Sequence, residues 1–199
     1  MQGQILILEP KAAARSEDTH AALVVSRGSF SNARFGGEAM TITQLRTGSP
    51  ANEWETAWAV FAYTDNDHFY YLTLKTNGWE LGKRDPAYEG GQRFLATGPE
   101  HASTPGRVAH FEIVQDGATI TVRIDGEPVT TFTDEERPYF SGKIGFYTED
   151  AKVGFDNIEG SIVEPFEGYS IQRYGDGARL GDTWDVAFTG YGYVAIENL

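Results

Sequence analysis

The chain has 199 residues, of which 40% are hydrophobic and 13% aromatic, with 29 acidic residues against 16 basic ones and a formal charge of -13. This composition supports a buried core and excludes a disordered chain, while the charge repels nucleic-acid phosphates and anionic membranes at long range. No cysteine is present, which excludes disulfides, thiol nucleophiles and thiolate metal sites together.

A local basic cleft could still hold an anionic polysaccharide, because more distant charge is screened over about 10 Å. The opening residues "MQGQILILEP" lack the basic and long apolar regions of a signal peptide, and no apolar run approaches the roughly 18 residues of a membrane-spanning helix. The chain is therefore expected to be soluble, without membrane insertion.

Apolar residues recur at period two, and Gly, Asn, Asp or Pro interrupts them about every 8 to 12 residues, which is the punctuation of a β-sandwich. In chain order, strands are expected over residues 4–9, 21–26, 39–47, 55–64, 68–76, 78–85, 107–115, 119–126, 142–149 and 152–160. The pairs Asn-Gly in "TNG" (76–78) and Asp-Gly in "QDG" (115–117) and "IDGEPV" tolerate positive φ and mark hairpins. Short strands joined this way suit two stacked antiparallel sheets in an all-β fold. One domain is expected over residues 1–199, with its core over about 20–160. The Gly- and aromatic-rich residues 161–199 read either as closing strands, with "YVAIENL" beside "ILILEP", or as an appended hairpin.

In "FAYTDNDHFYYLTL" (61–74), an acidic stretch interrupts an aromatic run. It reads as the turn between two strands, where Asp and Asn satisfy local backbone groups. An EF-hand is unsupported, since the Gly at loop position six and the Glu at position twelve are missing.

The order of "WAVFAYTDNDHFYYLTL", "WELGKRD", "HFEIVQDGATITVRIDGEPV" and "SGKIGFYTEDAKVGFDNIEG" resembles the concanavalin A-like lectin/glucanase superfamily in its laminin-G-like branch, over about residues 20–160. The resemblance implies a jelly-roll sandwich whose concave face meets a glycan. It also implies a calcium site: Asp156 in "GFDNI" matches the Asp that holds a structural ion in the glucanase branch, and oxygen-only coordination suits calcium. The competing reading is that Asp156 and Asn157 cap a strand.

Strand alternation puts Phe61, Tyr63, Tyr70, Leu72 and Leu74 toward the core, and Trp58, Val60, Ala62, Tyr71, Thr73 and Lys75 on the opposite face. The next strand adds Glu80 and Arg84 to that face, with Arg46 and Tyr147 on neighbouring strands. Aromatic rings stack on the apolar faces of sugars while Arg and Lys hold carboxylates or hydroxyls. These seven residues, Trp58, Tyr71, Lys75, Glu80, Arg84, Arg46 and Tyr147, are therefore the candidate glycan cleft. The alternative is a solvated sheet face with ordinary cross-strand pairs.

Catalytic signatures are sparse. The glucanase E-x-D-x-x-E strand is missing, and Glu53 and Glu55 in "NEWETAW" imitate only its start. A lyase cleaving a uronate polymer by β-elimination needs a cation or amide to neutralise a carboxylate and a Tyr or His to move the proton. Tyr71, Arg46 and Lys75, with Gln44 and His68, could supply these parts, although the R-x-E-L-R and Q-I-H strands of alginate lyases are missing apart from a faint echo in "TQLRT". His20, His68, His101 and His110 never fall at zinc-ligand spacing. "GDGARLG" and "GYGYV" follow no buried parallel strand and open no helix, so they are turns and not nucleotide loops.

The expected function is binding of a polysaccharide or oligosaccharide on the concave sheet, in a bacterial and extracytoplasmic setting, with a cytoplasmic location left open. A polysaccharide lyase on the same cleft and a structural or adhesive protein-interaction module are the alternatives.

Overall fold

Alternating side chains along the strands sort into two facing layers. The computed structural model describes residues 1, 3–162, 164 and 166–199. Its strands are β1 (Gln4–Glu9), β2 (Ala21–Ser26), β3 (Phe30–Ser31), β4 (Arg34–Gln44), β5 (Trp58–Asp65), β6 (His68–Lys75), β7 (Gly78–Arg84), β8 (Gln92–Gly98), β9 (Val108–Asp116), β10 (Thr119–Ile124), β11 (Glu127–Thr133), β12 (Ser141–Glu149), β13 (Ala151–Gly160), β14 (Arg173–Tyr174), β15 (Arg179–Leu180), β16 (Trp184–Phe188) and β17 (Tyr193–Asn198). One antiparallel sheet runs β11-β10-β9-β4-β13-β1-β17-β14 and the other β15-β16-β2-β12-β5-β6-β7-β8, with β3 against β12. This is the expected all-β sandwich.

Between the sheets lies a core that includes Phe35, Phe61, Tyr70, Phe111, Phe146, Phe155 and Trp184. Phe146 of β12 stacks on Phe155 of β13 with centroids 4.5 Å apart, joining the layers near their middle. Burying each such ring contributes about 1.5–3 kcal/mol.

Several expectations need correction. The strand expected from residue 55 begins at Trp58, so Glu53 and Glu55 sit in the preceding turn instead of sharing a strand face. Glu53 there accepts from Asn77, and Glu55 is fully buried against Arg46. Strands β8 and β11 were not expected. The polar, Thr-rich β11 carries Pro128 at the sheet edge, where a missing N–H is tolerated.

Residues 161–199 supply closing strands to both sheets. Leu6 of β1 lies opposite Ile196 of β17, and Val24 of β2 opposite Val186 of β16.

The acidic stretch in 61–74 is a turn, as its composition predicts. Asp65 Oδ1 accepts from the Asp67 amide at 2.9 Å and lies 2.8 Å from His68 Nδ1, which closes the β5–β6 hairpin.

Candidate functional site

On the outer face of the second sheet, away from the core, Leu23, Val25, Trp58, Val60 and Tyr71 form a separate buried apolar cluster. Strand pairing builds it: Tyr147 of β12 lies opposite Trp58 of β5, and Val60 opposite Tyr71 of β6. Above this floor opens a pocket of about 310 Å³, walled by Tyr63, Phe69, Tyr147 and Phe188, with Asn66, Arg84, Gln92 and Glu149 as its polar groups. Apolar walls with a few convergent polar groups are the ordinary form of a small-molecule site.

Two of those walls come from broken alternation. Ala62 takes φ +47° and the pairing of β5 slips there, so Phe61 and Ala62 both turn to the core and Tyr63 turns to the pocket. Tyr63 was expected in the core and Ala62 outside; the bulge exchanges them. A second slip, at Ala187 of β16, brings Phe188 beside Leu23 on the pocket face. Nothing in the alternation marks either residue.

Trp58 and Tyr71 belong to the floor and are not exposed platforms. They are 6% and 1% exposed, their centroids are 4.8 Å apart, and Trp58 Nε1 donates to the Trp54 carbonyl. Tyr71 lies across β7 at Gly82, where a Cβ would come within 2.0 Å of its ring. The glycine thereby lets the Tyr71 hydroxyl reach Glu80 Oε1, to which it donates at 3.0 Å, while Gln92 Nε2 donates to that hydroxyl.

Burial, with the Glu80 charge second, pushes the Tyr71 hydroxyl far above its ordinary range. Tyr147 is raised for the same first reason and donates to Glu149 Oε1 at 2.7 Å. The Glu149 carboxyl is itself raised, chiefly by burial and further by the charges of Asp150 and Glu55. Two tyrosine–glutamate pairs thus flank Trp58, and only the Glu149 pair puts its carboxyl on the pocket wall. Glu149 escaped notice in the sequence, although its place two residues beyond Tyr147 on one strand puts both side chains on one face.

Of the other candidates, Arg84 lines the pocket, with Nη1 donating to the Gly90 carbonyl at 3.1 Å. Lys75 and Glu80 pair with each other at 3.5 Å beside the pocket. Arg46 is misplaced by the sequence reading. It lies past the end of β4, 2% exposed, bound to Glu55 at 2.6 Å and Asp150 at 2.9 Å, and it also donates to the Arg15 and Asp18 carbonyls. It staples the 15–18 loop to the strand ends and does not reach the pocket. Gln44 and His68 are likewise spent elsewhere, on the Asn52 carbonyl and on Asp65.

Asp156 is buried in β13 of the other sheet, its Oδ1 accepting from the Asn157 amide at 2.7 Å. Among the described residues, no three His, Cys, Asp or Glu side chains group as metal ligands.

Two stacked sheets in this order make a jelly roll of the concanavalin A-like, galectin-like kind. Over 79% of this chain and 94% of the other, the fold matches carbohydrate binding module CBM66 from Bacillus subtilis, with a TM-score of 0.57 and 15% identity. It also matches a Bacillus subtilis protein of unknown function with a galectin-like fold, with a TM-score of 0.51 and 14% identity over 71% of this chain and 77% of that one. No curated protein matches the sequence. The chain belongs to the family of 3-keto-alpha-glucoside-1,2-lyase-like domains, whose model matches residues 14–159. It is a glycan-related β-sandwich.

Proposed function

We propose that the pocket between β5, β6, β7, β12 and β16 binds a small saccharide. One observation carries this reading: a pocket of about 310 Å³ whose aromatic walls converge with Arg84, Gln92, Asn66 and Glu149 on one sheet face. Tyr63, Phe69 and Phe188 offer faces to the apolar side of a sugar ring, and the polar groups meet its hydroxyls. The volume suits one or two sugar units, free or as part of a longer chain.

A second reading is favoured by the two tyrosine–glutamate pairs flanking Trp58. The family name denotes elimination across C1 and C2 of an α-glucoside oxidised at C3. In such a reaction a base takes the C2 proton, acidified by the adjacent ketone, the C1–O bond breaks, and the departing oxygen gains a proton. The carbon product keeps the C3 ketone conjugated to a new C1–C2 double bond. Arg84 would steady the negative charge that grows on the ketone oxygen. Glu149, protonated more readily than an ordinary carboxyl, suits the proton transfer to the leaving oxygen. This is β-elimination, as in the uronate-lyase alternative, on a different substrate.

Calorimetry with methyl α-glucoside and its 3-oxo form, on the wild type and Arg84→Ala, tests binding. Heat of binding that is lost in the variant is expected; no heat with either sugar would reject the reading. Growth of enone absorbance from the 3-oxo sugar, abolished by Glu149→Gln, would establish elimination, and binding without that growth would leave a binding module.

A further inference from the structure

Arg84 brings positive charge to the pocket wall, although its side chain is 38% exposed. A long side chain so placed ordinarily samples many rotamers. The turn after β7, "DPAYEGG" (85–91), removes that freedom. It folds back so that Arg84 Nη1 donates to the Gly90 carbonyl at 3.1 Å, while the guanidinium fills the space where residue 91 would carry a side chain. A Cβ on Gly91 would lie 3.1, 3.2 and 3.3 Å from Cζ, Nη1 and Nη2, closer than the roughly 3.5–4.0 Å of ordinary contact.

The turn is itself pinned. Gly91 accepts from the Asp85 amide at 2.9 Å and donates to the Tyr88 carbonyl at 2.8 Å. The 134–139 segment, which follows β11 of the first sheet, holds it from the other side: Arg137 pairs with Asp85 at 3.3 Å, and the Tyr88 hydroxyl donates to Glu136 Oε2 at 3.0 Å. The Tyr139 hydroxyl donates to the Arg84 carbonyl at 3.0 Å. Both ends of Arg84 are thereby fixed.

Gly90 and Gly91 share one left-handed backbone, φ +67° and +68°, yet a Cβ on Gly90 would meet nothing within 4 Å. Backbone conformation favours glycine at both positions. Of the two, Gly91 alone must also leave room for the guanidinium. We infer that Gly91 is a positioning residue of the pocket, the shelf that holds the Arg84 guanidinium at the wall, and that a side chain there displaces the cation. What Arg84 binds rests on the saccharide reading above; where it is held does not.

The matched pair Gly90→Asn and Gly91→Asn tests this, because Asn tolerates the left-handed region and both positions then bear a similar backbone cost. Two readouts are taken: the Arg84 Nε–Hε NMR signal, identified by its loss in Arg84→Ala, and calorimetry with methyl α-glucoside and its 3-oxo form. Gly91→Asn is expected to move the signal and weaken binding about tenfold, and Gly90→Asn to change neither. If Gly91→Asn does not fold, Gly91→Ala against Gly90→Ala should show the same contrast with a smaller shift. An unmoved Arg84 signal, or equal effects at both positions, would overturn the positioning role. A wild type that binds neither sugar would reject the saccharide reading, and the NMR contrast would still decide the role of Gly91.

Discussion

Tyr63 and Phe188 face one pocket from strands separated by β2 and β12, and each is turned toward it by a bulge at the alanine that precedes it. A period-two strand gives an aromatic to the core or to the surface by parity alone. Inserting one residue reverses that parity locally while the rest of the strand keeps its register. The same device at two places brings aromatic walls to a face that would otherwise be narrower.

The bulge at Ala62 should be sensitive to backbone preference. Ala62→Gly relieves the left-handed conformation and is expected to leave stability unchanged or raise it by up to about 1 kcal/mol. Ala62→Val is expected to cost about 2 kcal/mol or more, since a β-branched residue is strained at φ +47°. Chemical denaturation reads both. The bulge also abuts β12 so closely that a Cβ on Gly142 would lie 2.3 Å from the Ala62 carbonyl carbon, so Gly142→Ala should be damaging as well.

Gly82 is the support of the pocket floor. In Gly82→Ala the new methyl meets the Tyr71 ring, and the ring must lift away from Glu80 and Gln92. A loss of about 1–3 kcal/mol is expected from overpacking. Sugar affinity should fall together with stability, whereas Tyr71→Phe should cost only about 1 kcal/mol for the lost hydrogen bonding. Paired denaturation and binding measurements separate the two variants.

Arg46 tests the distinction between staple and ligand contact. Arg46→Ala leaves Glu55 and Asp150, both fully buried, without their cation, at an expected cost of about 3–5 kcal/mol. Arg46→Lys should recover part of this. Affinity of the folded fraction for sugar should stay at the wild-type value in either variant, which calorimetry checks; a selective loss of affinity would return Arg46 to the site.

Glu149 carries a pH signature. Its folded-state pKa is raised, chiefly by burial, so the native state holds this proton more tightly than the unfolded chain does. Stability contributed by the group is then present below the unfolded carboxylate pKa and is lost as pH rises through the folded value. Glu149→Gln removes this loss while keeping an acceptor for Tyr147. The stability of Glu149→Gln minus that of the wild type should therefore grow from acid toward neutral pH in denaturation series. A flat difference would show that Glu149 ionises as freely in the fold as in the unfolded chain.

Much of the fold was legible, because the signals were local. Asn-Gly and Asp-Gly pairs fixed the hairpins of β6–β7 and β9–β10, and alternation placed Trp58, Tyr71 and Arg84 on one face. What escaped depends on partners distant in the chain or on breaks in the period. Arg46 reads as a surface cation at a strand end until Asp150, 104 residues away, buries it. Lys83, which alternation with Glu80 and Arg84 turns to the core side of β7, is fully buried there, with Asp134 at 2.8 Å and the Glu136 and Arg137 carbonyls as its other acceptors. Alanine at 62 and 187 carries no bulge signature such as glycine would, so neither aromatic wall could be foreseen. Phe188 further required knowing that β16 lies beside β2.

The most direct test of the central claim is backbone amide NMR of the protein titrated with methyl α-glucoside and its 3-oxo form. The account predicts that shifts concentrate at Asn66, Arg84, Gln92, Glu149 and Phe188, around one pocket on the second sheet. Shifts confined to the outer face of the other sheet, around Thr121 and Arg123, or no shifts with either sugar, would contradict it.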